Sequence, residues 1–316
     1  MKVSRLSLLV GATALAGPLA AWVGPLRAAV IDNPDRVTLT AWAAAEGLAT
    51  DIVEDRYAAT GVVTCSWEDP EWGPRHTFAS AQLTIAADLI TLSGHTFTDP
   101  ITCEPKAAAT QCQFTITDQG VEQTSPLSEI LGTGIHCGPE GGSRLFDRMI
   151  GDWAVARLEH PLSATPYEID PTAGGAVAPS EPVLSVTHSQ DYFTLAADGT
   201  MLHPKTIGAC RVRDLLRRFG AIAYFTTDCD GAQRSSGGSI LAAGGDGPPK
   251  LIAIWAASSE GRPLLDEAVA RIVEAGVYRD DLANTGTYEV NAWSSRHIPI
   301  AGEFLSVLLL AANGGN

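Results

Sequence analysis

What the sequence has little of narrows the reading first. Charged residues make up only 18% of the 316-residue chain, against 45% apolar. That balance argues against a disordered chain, which needs high charge and low hydrophobicity. Past residue 30 no apolar run is long enough to span a bilayer. No Cys-x-x-Cys pair and no His-x-x-x-His spacing occurs, so the usual ligand pattern of a zinc site is missing. No Gly-x-Ser-x-Gly segment occurs, which weakens an α/β-hydrolase reading. No internal repeat is evident. Bases are scarce: 21 Lys and Arg stand against 36 Asp and Glu, for a net charge of −15. An acidic surface argues against nucleic acid or an anionic membrane as partner.

The N-terminus carries Lys2 and Arg5, then an apolar run, then small residues. That is the layout of a secretory signal peptide. Gly11, Gly17, Pro18, Gly24 and Pro25 interrupt the run and disfavour a spanning helix. Residues 1–29 are read as the signal, with cleavage tolerable after Ala16, Ala21 or Ala29. The expectation is a secreted or periplasmic chain, whose net charge becomes −18 once Lys2, Arg5 and Arg27 are lost. Six cysteines remain: Cys65, Cys103, Cys112, Cys137, Cys210 and Cys229. An even number in an exported chain points to three disulfides rather than a metal site. No cofactor and no metal is expected.

The chain is long enough for one large domain or two small ones. Residues 30–60 form an N-terminal extension, within which "LTAWAAAEGLATDIVEDRY" could be a short helix. From "ATGVVTCSW" onward, short Val-, Ile-, Leu- and Thr-rich runs alternate with Gly, Pro and Asp clusters. Such spacing reads as an all-β barrel or sandwich. "ASAQLTIAADLITLSG" reads as a hairpin turning at Ala87 and Asp88. "DPTAGGAVAPSEPV" reads as the connection between two β modules, 61–172 and 173–316. "PLLDEAVARIVEAG" has helical spacing and a Gly stop, so a late helix is expected there.

"QRSSGGSIL" is either a flexible loop or a tight turn that presents a serine. An alcohol becomes a good nucleophile only when a base takes its proton, usually a histidine oriented by a carboxylate. Among the histidines, His76, His136, His160, His188, His203 and His297 sit in polar or turn-like contexts. His95 ends a strand-like run after a small residue, which would place its ring at a barrel rim. Asp152 directly precedes the alternating strand "WAVARL", where a carboxylate can be partly buried and face an imidazole. Each alone is most simply structural. Together they give the order His, Asp, Ser, with separations of 57 and 84 residues.

These segments resemble the secreted bacterial branch of the trypsin-like (chymotrypsin-fold) serine peptidases. "SAQLTIAADLITLSGHTF" is similar to the family's catalytic-histidine segment and "GDWAVARL" to its aspartate segment. "TDCDGAQRSSGGSIL" is similar to the nucleophile segment, and "PKLIAIWAAS" to the strand that follows it. The resemblance implies two six-stranded antiparallel β-barrels, the first carrying His95 and Asp152 and the second Ser236 and a short C-terminal helix. It implies a serine endopeptidase acting on protein or peptide substrates. His95 would be the general base, Asp152 its orienting carboxylate and Ser236 the nucleophile, since it directly precedes the Gly-Gly pair. The backbone amides of Arg234 and Ser236 would form the oxyanion hole. Asp230, six before Ser236, stands where trypsin itself carries its specificity acid, although a loop Asp beside a disulfide is the simpler reading. Cys210 with Cys229, and Cys103 with Cys112, are the candidate disulfides.

Three departures matter. Gly94 precedes His95 where the family has Ala. Ser235 replaces the acid that animal trypsins pair with a new N-terminus, so that switch should not operate. Arg234 replaces a glycine whose backbone freedom the oxyanion hole uses. That last change keeps open a second reading, a catalytically silent trypsin-like module that binds a protein or peptide.

Overall fold

The computed structural model describes residues 36–69, 73–137, 148, 150–189, 194–195, 201–229, 231, 234–244, 247–259 and 294–314. The signal peptide read at 1–29 and the helix expected at 263–276 lie outside these residues.

Alternating apolar patterns set the strands. In β5 (Cys112–Asp118) every second residue is buried and the others face outward to varying degrees, the signature of a sheet with one covered face. With β2 (Thr60–Asp69), β3 (Gly73–Thr84), β4 (Ala86–Leu92), β6 (Val121–Thr133) and β7 (Ala154–Leu158) it closes a six-stranded barrel ordered β2-β3-β4-β7-β6-β5. Every pairing in it is antiparallel. The β3–β4 turn falls at Ile85, whose φ is 67°, not at Ala87 and Asp88. Those two residues already belong to β4.

The second barrel is built from β9 (Pro182–His188), β12 (Lys205–Arg218), β13 (Ala221–Thr227), β14 (Ser239–Ala242), β15 (Lys250–Ser259) and β16 (Ser294–Pro299). Pairing of β12 with β9 closes it, again with antiparallel neighbours. Its core is filled by Val183, Val212, Leu215, Ile222, Phe225, Ile240, Ile252 and Trp255. Short strands β1 (Arg36–Thr38) and β8 (Glu168–Ile169) add to its rim, and β10 (Thr194–Leu195) pairs with β11 (Met201–Leu202) apart from it. The expected all-β fold of two six-stranded barrels is therefore present.

Helices are few. The N-terminal extension holds two, Leu39–Glu46 and Thr50–Arg56, separated at Gly47, which takes a left-handed φ of 68°. The C-terminal helix is Gly302–Ala312. It lies against the first barrel: Phe304 stacks on Trp153 with ring centroids 4.8 Å apart, and Arg157 Nη2 donates to the Ala311 carbonyl.

Where the barrels meet, β3 is buried on both faces from Ala79 to Thr84. Polar groups buried there are paired. Gln82 Nε2 donates to the Thr91 carbonyl at 2.8 Å, and its Oε1 accepts from Ser239 Oγ at 2.9 Å. Ser239 Oγ also lies 2.7 Å from Thr60 Oγ1. Hydrogen-bonded in this way, the interface avoids the penalty of stranded polar atoms and fixes one barrel on the other.

The three disulfides are Cys65–Cys112, Cys103–Cys137 and Cys210–Cys229. The pair Cys210–Cys229 is as expected. The expected Cys103–Cys112 bridge is not formed. Cys112 opens β5 directly opposite Cys65 of β2, with Cα atoms 4.0 Å apart. Cys103 lies in the loop after β4 and reaches Cys137, beyond β6. Strand register, which the sequence spacing does not reveal, decided the pairing.

Candidate active site

β4 ends at Leu92, and a tight turn at Gly94–Thr96 then points His95 at Asp152. A Cβ on residue 94 would lie 2.9 Å from the Trp153 carbonyl and 3.0 Å from Thr133 Oγ1. Only glycine lets the His95 turn approach the Asp152–Trp153 backbone so closely. Asp152, 3% exposed, accepts two hydrogen bonds from one residue. The His95 backbone N–H donates to Oδ1 at 2.8 Å, and ring Nδ1 lies 2.8 Å from Oδ2. An ionised carboxylate only accepts, so Nδ1 carries the proton and Nε2 keeps its lone pair free. Burial pushes the Asp152 carboxyl up, but the His95 charge and these hydrogen bonds outweigh it and hold it below the usual 3.8. The His95 side chain is 28% exposed and so open to solvent.

The three serines of "SSGGS" differ sharply. Ser235 and Ser239 are fully buried, their hydroxyls bound to Ser189 and to the Thr60–Gln82 network. Ser236 alone of the three is partly exposed. Its hydroxyl donates to the Ala256 carbonyl at 3.5 Å. No hydrogen bond joins it to His95 among the described residues. Contacts of that kind commonly tighten only when substrate binds.

The turn carrying Ser236 is strained and pinned. Arg234 takes a φ of 76°, the left-handed region that glycine enters freely and other residues enter at a cost. Ser80, on β3, holds it there: its N–H and its hydroxyl donate to the Arg234 carbonyl at 2.9 and 2.7 Å. The Arg234 guanidinium lies over the Phe78 ring, 4.3 Å from its centroid. Gly237 also has positive φ, 84°, and a Cβ there would collide with the Ser80 carbonyl. Gly237 N–H and Ser93 Oγ both donate to the Trp255 carbonyl, at 2.6 and 2.8 Å. One carbonyl thus ties the serine turn to the segment leading into His95. Among the described residues, neither the Arg234 nor the Ser236 backbone N–H donates to the protein.

Asp230 lies outside the described residues. Sequence reasoning missed Ser80 and Ser93, because their partners are more than 150 residues away. It also read His188 and His297 as polar or turn-like. Both are strand residues. His297 is wholly buried, edge-on to Trp255 with centroids 5.0 Å apart, and its Nε2 bonds Thr227 Oγ1 at 2.7 Å.

Burial first, then the charge of Lys205 for His188 and of Arg296 for His297, depresses both histidines to about 3 from 6.5. Between those values the unfolded chain binds protons that the folded chain does not. Stability therefore falls as pH falls through that window, by about 1.4 kcal/mol per histidine per pH unit. Urea midpoints measured from pH 7 down to pH 5 should decline, and His297→Leu should make the decline shallower. An equally steep decline in that variant would count against burial of a neutral ring.

No family model matches the chain, and no curated protein matches it in sequence. Solved structures do match in fold. A Glu endopeptidase in complex with MPD aligns over 90% of this chain and 99% of its own, with a TM-score of 0.54 and 11% identity. A thermostable serine protease, AL20, from an extremophilic microorganism aligns over 82% and 99%, with a TM-score of 0.50 and 12% identity. At such identity the likeness speaks for architecture alone, and the architecture of this chain is the chymotrypsin-like pair of six-stranded β-barrels.

Proposed function

We propose that the protein is a secreted serine endopeptidase. The observation that carries this reading is the doubly hydrogen-bonded His95–Asp152 pair, whose leading segment shares the Trp255 carbonyl with the pinned turn that holds the partly exposed Ser236. Solved serine proteases of the same fold support it. Ser236 Oγ attacks the peptide carbonyl while His95 Nε2 takes its proton. Asp152 keeps the proton on Nδ1 and stabilises the imidazolium that forms. His95 then gives the proton to the leaving amine, and water hydrolyses the acyl-enzyme by the same steps. The backbone N–H groups of Arg234 and Ser236, left without acceptors, receive the oxyanion. The left-handed φ of Arg234 answers the loss of glycine there, because Ser80 offsets the cost of the conformation. Three disulfides fit an exported protein, and no described helix is long and apolar enough to cross a membrane. Removal of residues 1–29 as a signal completes the reading.

A catalytically silent module that binds a protein or peptide is the second reading, favoured by the Ser236 hydroxyl bonding Ala256 rather than His95. A fluorophosphonate probe separates the two. The mature chain should be labelled stoichiometrically, and His95→Ala should lose nearly all labelling. A wild-type chain that stays unlabelled at neutral pH rejects the peptidase.

A further inference from the structure

The geometry points to Arg36, on the N-terminal strand, as a positioning residue for the nucleophile turn, acting through Ser189 and Ser235. The inference deepens the peptidase reading and rests on it for its catalytic part.

β1 pairs antiparallel with β12, placing Arg36 opposite Gly208, and β12 pairs with β9. Across that sheet Arg36 Nη1 donates to Ser189 Oγ, just past the end of β9, at 2.6 Å. Ser189 Oγ lies 2.5 Å from Ser235 Oγ. Ser189 and Ser235 are both fully buried. A guanidinium can only donate, so Ser189 accepts from Arg36 and its own proton is left to point onward. Ser235 at 2.5 Å is the shorter of its two other hydroxyl contacts; Thr187 Oγ1 is 3.3 Å away. The chain therefore runs from a cation, through one serine, to another.

Ser235 sits between Arg234 and Ser236, whose N–H groups are the proposed oxyanion donors. Its carbonyl accepts from the Gly238 N–H at 2.9 Å. Pinning its hydroxyl from below fixes the middle of a turn that Ser80 pins at Arg234 and Trp255 pins at Gly237. Two consequences follow. The strained turn is held at a third point, buried where water does not compete. The hydroxyl chain is also polarised by the guanidinium in a medium of low dielectric, which favours negative charge near the turn. A displacement of about 1 Å in such a constellation costs on the order of 100-fold in rate. The N-terminal strand, remote in sequence from Ser236, thereby becomes part of what organises it.

The test uses the full mature chain and three variants: Arg36→Gln, Ser189→Ala and the double variant. Amide exchange of the 234–238 segment is expected to speed up at least about 10-fold in either single variant, while exchange in the first barrel is unchanged. With a peptide substrate, kcat should fall about 10- to 100-fold with KM nearly constant. Arg36→Lys, which restores a cation, should recover part of the loss. Because the residues act in series, the double variant should be no worse than the worse single one. Additive losses, or wild-type exchange at 234–238 in both single variants, would overturn the proposal. Should Arg36→Gln fail to fold, Ser189→Ala removes one oxygen and carries the same reading. Labelling of the wild type by the fluorophosphonate decides the peptidase reading separately. Faster exchange in the variants of an unlabelled protein would leave the anchor standing and remove only its catalytic consequence.

Discussion

Ser236→Ala should lower kcat for peptide hydrolysis by on the order of 10⁶-fold, the scale seen when a serine nucleophile of this type is removed. The residual rate would come from binding and from the proposed oxyanion donors, which the substitution leaves in place. Stability should hardly change. The hydroxyl that is lost is partly exposed and makes a single long contact, 3.5 Å to the Ala256 carbonyl. The neighbouring serines supply the contrast. Ser239→Ala breaks a buried network with Thr60 and Gln82 and should cost about 1–3 kcal/mol in unfolding free energy, from the polar partners left unpaired. It should nevertheless retain fluorophosphonate labelling. The pair of measurements, labelling and urea denaturation, thus separates a chemical serine from a structural one. Full labelling of Ser236→Ala would remove this residue from the mechanism.

Asp152→Asn should lower kcat about 10⁴-fold with little change in fold. The asparagine side chain has nearly the same shape, and its amide oxygen can still accept from the His95 backbone N–H. Its NH₂ then faces Nδ1 and donates to it. The ring proton moves to Nε2, which can no longer take a proton from Ser236. In the proposed mechanism the carboxylate controls the tautomer rather than the position of the ring. Stability carries a second signature. The Asp152 carboxyl is held below its usual 3.8 in the folded chain, so the unfolded chain binds its proton first as pH falls. Its stabilising contribution is complete above that value and is lost as pH drops through the folded one. Wild type and Asp152→Asn should therefore differ in urea midpoint at pH 6 and converge toward pH 3. A kcat loss below about tenfold would mean that His95 does not depend on this carboxylate.

The sequence made the barrels legible, and suggested the order of the proposed site residues, because both are carried by short local patterns. Alternation in "CQFTITD" marks a half-covered strand without reference to the rest of the chain. "SGHT", "GDWAV" and "SSGGS" each bring their own turn. Distant pairings were less accessible. Cys112 pairs with Cys65 because β5 lies beside β2, and no spacing rule distinguishes that from a bridge to Cys103. The β3–β4 corner fell at Ile85 because the barrel bends there, not at the Ala-Asp pair that local turn chemistry favours. His297 reads as a polar or turn-like position because Ser294, Ser295 and Arg296 precede it, whereas closure of the second barrel covers it with Trp255 and Phe225.

Arg234 shows the division most clearly. From the sequence alone it was a misfit, a bulky residue where a glycine is wanted. What the sequence determined is the cost: a side chain in left-handed backbone is disfavoured wherever it occurs. Whether that cost is met was decided by tertiary structure. Ser80, 154 residues earlier, brings an N–H and a hydroxyl to the Arg234 carbonyl, and Phe78 brings a ring to its guanidinium. Ser80 arrives there because its stretch of β3 is buried where the two barrels meet, while the exposed Phe78 two residues earlier reaches the guanidinium from the rim. Local chemistry thus suggested candidate residues and an order, while the closure and docking of the barrels decided which of them touch. Hydrogen bonds act only over about 3 Å, and sequence distance says nothing about that range.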